Sequence, residues 1–175
     1  MEQVILVGTE DNEIGSMEKQ QAHIEGRLHR AISVFIFNTR GEMLLQQRAA
    51  GKYHSANLWT NTCCSHPRPG ESVGEAAIRR LREEMGMQCE LKEAFSFVYR
   101  AKLDNDLTEH EFDHVFIGIS NSVPLPDPSE VGAWQYVFPA QIEKDINRNP
   151  EKYTEWFKIC FQDWRKELLI DSAGG

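Results

Sequence analysis

Residues 70–86 read GESVGEAAIRRLREEMG. Within this stretch Ala77, Ile78, Leu81 and Met85 recur at helical spacing, and Gly86 follows as a C-terminal stop, so a helix is expected over 75–85. Positions 80, 83 and 84 lie three and four apart and share one face of that helix. Glu83 and Glu84 therefore place two carboxylates on that face, beside Arg80.

The sequence on either side predicts strands. Residues 31–38 (AISVFIFN) are rich in β-branched and aromatic side chains and read as a buried strand. A turn at Asn38-Thr39-Arg40-Gly41 leads into a second strand over 42–48, forming a hairpin. Residues 4–7 form a short strand followed by a polar turn through Asp11-Asn12-Glu13 and Gly15. Residues 95–101 and 108–120 alternate like strands around a turn at Asp104-Asn105-Asp106. Pro124, Pro126 and Pro128 mark a surface loop, and 134–138 reads as one more strand. A last helix is expected from near Pro150, capped by Asn149, with Tyr153, Trp156, Phe157, Cys160, Phe161, Trp164 and Leu168 as its apolar stripe. Together these elements make a mixed or antiparallel sheet covered by helices. No repeat or linker interrupts the chain, so residues 1–175 are expected to be a single domain.

Apolar residues make up 41% and charged residues 26%, as in ordinary globular chains. The net charge of −8 argues against a nucleic-acid partner, which calls for a basic face, but leaves room for an anionic small molecule bound by local cations. No segment reads as a signal peptide or a membrane span, so the expectation is a cytoplasmic chain with no membrane partner. Cys63, Cys64, Cys89 and Cys160 are then expected to be thiols. No surface reads as a dimer face, and a monomer is expected.

Glu71, Arg79, Leu81, Glu83, Glu84 and Gly86 fit the loop–helix–loop signature of the Nudix hydrolases, and the stretch resembles that box. Arg80 stands where the box has its first helical glutamate, and Ser65 where it opens with glycine. A cation in place of a metal carboxylate removes a ligand and repels the ion, so pyrophosphate hydrolysis is disfavoured. The preceding string Trp59-Thr60-Asn61-Thr62-Cys63-Cys64-Ser65-His66-Pro67, with Gly70-Glu71-Ser72 after it, is similar to the type I isopentenyl-diphosphate isomerases, which are built on the Nudix fold. His23 and His29 around Arg27-Leu28, Tyr99-Arg100-Ala101, Glu109-His110-Glu111 and Trp156 extend the resemblance from about Lys19 to Trp156. It implies an α/β (α+β) fold, a Nudix-like mixed or antiparallel sheet sandwiched between helices.

His23, His29, His66, Glu109 and Glu111 supply three imidazoles and two carboxylates, and Glu109 and Glu111 point to one face of their strand. Such a set suits Mn²⁺, Zn²⁺, Fe²⁺ or Mg²⁺, although three nitrogens are unusual for Mg²⁺. The resemblance implies that these five hold one divalent ion. His110 and His114 point the opposite way and read as structural or solvated. The resemblance further implies that Cys64 and Glu111 are an acid–base pair on opposite sides of the substrate, that Tyr99 hydrogen-bonds the Glu111 carboxyl, and that the Trp156 ring faces a developing carbocation. Cys63 reads as a small buried neighbour, and Trp134 and Trp164 as packing residues. Lys19, Arg48, Lys52 and Arg80 match positions that contact the diphosphate, with Glu84 carrying a second ion, Mg²⁺, that bridges to it. The implied activity is interconversion of isopentenyl and dimethylallyl diphosphate, in isoprenoid biosynthesis. The alternative is a Nudix hydrolase of a nucleoside diphosphate derivative.

Overall fold

The computed structural model describes residues 1–173. Its sheet is built around β3 (His29–Phe37), whose residues are nearly all buried. Side chains on successive strand residues alternate between faces, so a strand buried throughout must be covered on both. Ile32, Val34 and Ile36 pack on one side with Leu44, Phe116 and the helix α2 (Val73–Met85). Phe35 and Phe37 pack on the other with Val115, Ile117 and the helices α3 (Pro139–Arg148) and α4 (Glu155–Asp163). This is the expected sheet sandwiched between helices.

The remaining strands are β1 (Gln3–Val7), β2 (Glu13–Glu18), β4 (Met43–Arg48), β5 (Trp59–Thr60), β6 (Cys63–Ser65), β7 (Lys92–Lys102), β8 (Thr108–Ile119) and β9 (Val131–Val137). β8 runs parallel to β3 along one edge, from His29 opposite Glu111 to Phe37 opposite Ile119. The other edge of β3 meets β1 at Leu6↔His29, β6 at Ser33↔Cys64 and β4 at Phe37↔Met43, all antiparallel. β7 pairs with β8, and β9 and β5 pair with β4.

The helix α2 starts two residues earlier than the periodicity places it. Ser72 caps it, accepting from the Glu75 amide while the Glu75 carboxylate returns to the Ser72 amide. Gly86 ends it in a left-handed conformation at φ 62°, and a side chain there would strike the Leu125 carbonyl. Ile78, assigned to the apolar stripe, is half exposed, because the buried face runs through Ala77, Leu81, Glu84 and Met85 and leaves position 78 on its rim.

Other expectations are corrected. The expected polar turn through Gly15 is shorter than that: Glu13 and Gly15 already belong to β2, paired with Val7 and Leu6, in a strand of mostly exposed residues. The last helix does not start at Pro150 under an Asn149 cap. Residues Pro150–Lys152 form a 3-10 turn, Thr154 caps α4, and a break at Trp164 separates α4 from α5 (Arg165–Ala173). The helix α1 (Lys19–Glu25) is short and polar and escaped periodicity. α3, by contrast, was detectable from Pro139 at its start and the Ile142/Ile146 pair. Trp164 stacks on Phe95 at 5.1 Å, whereas Trp134 lies on the surface, edge-on to Tyr136. No helix among the described residues is long and apolar enough to cross a membrane, and all four cysteines are free.

Candidate active site

Strand register assembles the site. On β8, Glu109, Glu111 and Asp113 alternate to the face shared by Val115 and Ile117, and all three carboxylates are buried. The parallel register places His29 beside Glu111, the antiparallel β7 register places Tyr99 on its other side, and β6 brings Cys64 beside Ser33. The last turn of α1 supplies His23, and the chain leaving β6 supplies His66. Thr154 at the start of α4 donates through its amide to the Trp59 carbonyl and through its hydroxyl to Thr60, so α4 is tied to β5 where it presents Trp156.

A cavity of about 420 Å³ opens over this face. Its walls include Lys19, Arg48, Lys52, Cys64, His66, Arg80, Glu84, Tyr99, Glu109, Glu111 and Trp156. His23 and His29 sit deeper, fully buried beneath it. Every residue assigned a role from the sequence is thus in or directly under one cavity. His110 and His114 turn away, as strand alternation requires: His110 reaches the Gly26 carbonyl, and His114 sits between Glu93 and Asp11.

The imidazoles converge. His29 Nε2 lies 3.3 Å from His66 Nε2 and 3.4 Å from Glu111 Oε1, and His66 Nε2 lies 2.9 Å from the same oxygen. Because a carbonyl only accepts, the 2.8 Å contact of His29 Nδ1 with the Arg27 carbonyl makes Nδ1 the protonated nitrogen and leaves the Nε2 lone pair facing the cluster. His23 Nε2 is buried without a hydrogen-bond partner. An orphaned imidazole nitrogen among two further imidazoles and buried carboxylates is costly unless a cation takes it up. One ligand atom each from His23, His29, His66 and Glu111 lies within 4.8 Å of the others, so these residues fit a divalent ion.

Burial keeps His23 and His66 in their neutral, ligating form. It lowers His23 to about 3, with His66 adding to the effect, and it lowers His66 against the opposing pull of Glu111. The carboxylates diverge. Burial and then the Glu111 charge push Glu109 well up, while Glu111 is held well down, against its burial, by hydrogen bonds from His29 and His66. The Tyr99 hydroxyl lies 3.0 Å from Glu109 Oε2 and 2.6 Å from Glu111 Oε2, which leaves both Oε1 atoms directed at the imidazoles.

Across the cavity, the Cys64 thiol donates to Asn61 Oδ1 at 2.8 Å and accepts from Trp156 Nε1 at 3.0 Å. Asn61 is locked in turn by its amide donating to the Val34 and Cys63 carbonyls. Burial first, then the charges of Asp113 and Glu84, raise the thiol well above its ordinary value, so Cys64 holds its proton. Cys63 faces the α2 side of the sheet, fully buried.

The cations line the mouth, and Lys19, Lys52 and Arg80 each stand beside a carboxylate. Lys19 pairs with Glu2 at 2.7 Å, Lys52 pairs with Glu130, and Arg80 reaches Glu84 at 2.6 Å and Glu83 at 2.7 Å. The Arg48 guanidinium lies 5.2 Å from the Trp156 ring centroid. Glu84 accepts from Arg80 on one oxygen and from Gln46 on the other, so any ion it helps hold must share it. This suits Mg²⁺, which takes one or two protein carboxylates and completes its shell with phosphate oxygens and water.

Sequence reasoning missed Glu2, Tyr53, His54, Asn61, Asp113 and Glu130. Asn61 lay inside the quoted string, and Asp113 continues the 109/111 alternation, so both carried a signal. Tyr53 and His54 lie in an irregular loop with no periodicity to mark them.

The NUDIX domain family matches residues 27–157. The chain is 54% identical over 173 residues to Isopentenyl-diphosphate Delta-isomerase 2 of Aromatoleum aromaticum, covering 99% of this chain and 92% of the relative. It is 51% identical over 159 residues to the Isopentenyl-diphosphate Delta-isomerase of Pectobacterium atrosepticum, covering 91% and 89%. Among solved structures it is similar to the MutT protein from Methanosarcina mazei Go1, with TM-score 0.65, 20% identity and coverage of 80% and 94%. It is also similar to the MutT NUDIX hydrolase from Burkholderia pseudomallei, with TM-score 0.61, 17% identity and coverage of 77% and 96%. At these identities the structural likeness is one of fold.

Proposed function

The chain belongs to the NUDIX domain family and, within it, to the isopentenyl-diphosphate Delta-isomerases, and on that premise we propose that its cavity interconverts isopentenyl and dimethylallyl diphosphate by proton addition and removal, in isoprenoid biosynthesis. The observation that carries this is the placement of the Cys64 thiol and the Glu111 carboxylate on the walls of one cavity.

Two poised groups are what the reaction needs. A proton delivered to the terminal methylene carbon of the alkene turns it into a methyl group and leaves a tertiary cation on the neighbouring carbon. Removal of a proton from the next methylene, on the diphosphate side, then forms the new double bond. Cys64 and Glu111 are the pair that give and take these protons. Asn61 and Trp156 hold the sulfur in place, and Tyr99 holds Glu111 by Oε2. The Trp156 ring also stabilises the cation, worth ~1–2 kcal/mol and more where water is excluded.

His23, His29, His66, Glu109 and Glu111 are the residues that would hold a divalent ion, Mn²⁺, Mg²⁺ or Zn²⁺, and Glu84 a Mg²⁺ shared with the diphosphate; bound there, such ions neutralise carboxylate and phosphate charge. Lys19, Arg48, Lys52 and Arg80 take the diphosphate by charge-assisted hydrogen bonds, Lys19, Lys52 and Arg80 exchanging their carboxylate partners for phosphate oxygens. Residues 1–175 act as one domain and as a monomer in this reading. A cytoplasmic location accompanies it, because Cys64 must stay reduced.

Proton NMR of isopentenyl diphosphate with the protein in D₂O, with Mg²⁺ and Mn²⁺, tests the proposal. Dimethylallyl diphosphate carrying solvent deuterium is the expected product. Release of phosphate without isomerisation would replace this reading with hydrolysis of a diphosphate.

A further inference from the structure

His54 belongs to neither the catalytic pair nor the five-residue metal set, yet it is buried in the wall of the same cavity. One ligand atom each from His54, His23 and Glu109 lies within 4.8 Å of the others, and His54 Nε2 is 3.9 Å from Glu109 Oε1. Around His23, the ring of His54 stands at 5.6 Å, between His29 at 5.1 Å and His66 at 5.8 Å. His54 is therefore placed around His23 as the two histidines already assigned are. Its Nδ1 contacts Ser55 Oγ at 3.2 Å, which leaves Nε2 to face Glu109.

The two clusters, one of His23, His29, His66 and Glu111 and one of His23, His54 and Glu109, meet at His23. His23 Nδ1 is 2.8 Å from the Tyr53 hydroxyl, so Nε2, buried and without a partner, is its one nitrogen open to an ion. A single lone pair cannot serve two ions. Tyr99 meanwhile holds Oε2 of both glutamates and leaves one Oε1 to each cluster. With metal–ligand bonds of roughly 2.1 Å, octahedral donors stand ~3 Å apart as neighbours and ~4.2 Å apart across the ion. The separations of 2.9, 3.3, 3.4 and 3.9 Å among these donors fit those values, and within each cluster the donors lie within 4.8 Å of one another. We propose that the clusters are two halves of one shell, and that His54 is the sixth protein ligand beside His23, His29, His66, Glu109 and Glu111.

The surrounding loop is built to hold His54 there. Ser55 and Asn57 adopt left-handed backbone conformations at φ 51° and 63°, uncommon for residues other than glycine. The Ser55 amide donates to the Asp104 carboxylate, and the Asn105 side chain donates to the Tyr53 carbonyl. Tyr53 and His54 thus divide the work: one orients His23 from behind, and the other supplies a donor. A shell of six protein atoms has no open position, so the alkene would meet protein groups rather than the ion itself, unlike a site that keeps a place for water or substrate.

This inference rests on the metal reading above, and Co²⁺ as the probe separates the two. The protein is stripped, titrated with Co²⁺ against a chelator, and followed by visible absorption for the wild type, His54→Gly and His54→Gln. The expected result is one ion per chain, a 10- to 100-fold loss of affinity in both variants, altered visible bands, and recovery of both by free imidazole in His54→Gly. Unchanged affinity and bands in the variants would overturn the role of His54 while leaving the five-residue site standing. Two ions per chain in Glu84→Gln, which lacks the carboxylate assigned to the diphosphate-side ion, would overturn the single shell. No Co²⁺ binding by the wild type would overturn the metal reading itself. If His54→Gly does not fold, His54→Gln alone decides between the expected loss and no change.

Discussion

The Tyr99 hydroxyl donates to Glu111 Oε2 at 2.6 Å, between strands whose register sets these two residues opposite each other. The same hydroxyl lies 3.0 Å from Glu109, so one phenol positions both carboxylates of the site. Tyr99→Phe should leave the chain folded and lower kcat about 10- to 100-fold, because a lost positioning contact loosens both carboxylates. Steady-state kinetics with metal analysis checks this, and full activity in the variant would remove Tyr99 from the mechanism.

Cys64→Ala should abolish turnover while metal content and the folded state stay near those of the parent chain. The thiol touches Trp156 and Asn61 but none of the imidazoles around His23. Stability should fall by roughly 1–3 kcal/mol, since the buried Trp156 N–H loses its partner while Asn61 Oδ1 keeps the Thr60 hydroxyl. Deuterium exchange into isopentenyl diphosphate is the sensitive readout, and parent-like exchange would sink the assignment.

Arg80→Glu restores the residue type of the hydrolase box but places a third carboxylate beside Glu83 and Glu84, with Glu130 3.5 Å from the present guanidinium. Weaker substrate binding, seen as a higher KM, is expected, with no gained hydrolysis. Phosphate release from a panel of diphosphates is the measurement, and clear hydrolase activity would show the pocket to be misread.

The loop before α2 is pinned by Glu71, whose oxygens accept from Arg79 at 2.6 and 2.8 Å. Arg79 first of all holds this carboxyl below its ordinary range, against a smaller opposing effect of burial. A carboxylate with a depressed folded-state pKa stabilises above its unfolded pKa, near ~4.3, and loses that contribution as pH falls through the folded value. The Tm gap between the parent chain and Glu71→Gln should therefore be full at neutral pH, worth about 1 kcal/mol or less, and should close below about pH 4. A gap independent of pH would assign the effect to packing.

Helix α2 was legible because its signals are local: apolar spacing, Ser72 and Glu75 at its start, and Gly86 at its end each act within a turn or two. β3 was legible because continuous burial leaves a continuous apolar run. The histidines, Cys64, Tyr99 and the 109/111 pair could be read as chemistry through resemblance, and they do meet at one cavity. What brought them together lay outside any local window. The parallel pairing of β3 with β8 sets His29 against Glu111 across a separation of more than 80 residues, and a slip of one residue would turn Glu109, Glu111 and Asp113 to the opposite face. β2, with its solvated side chains, and the loop carrying His54, held by Asp104 and Asn105, owe their shapes to partners distant in sequence. The sequence alone determined which residue types were present and how its locally encoded elements would form. The position of His54, the partners of the pocket cations and the convergence of His29, His66, Glu111, His54 and Glu109 on His23 were decided by tertiary structure, because strand pairing and loop anchoring draw their free energy from contacts that exist only once the chain has folded.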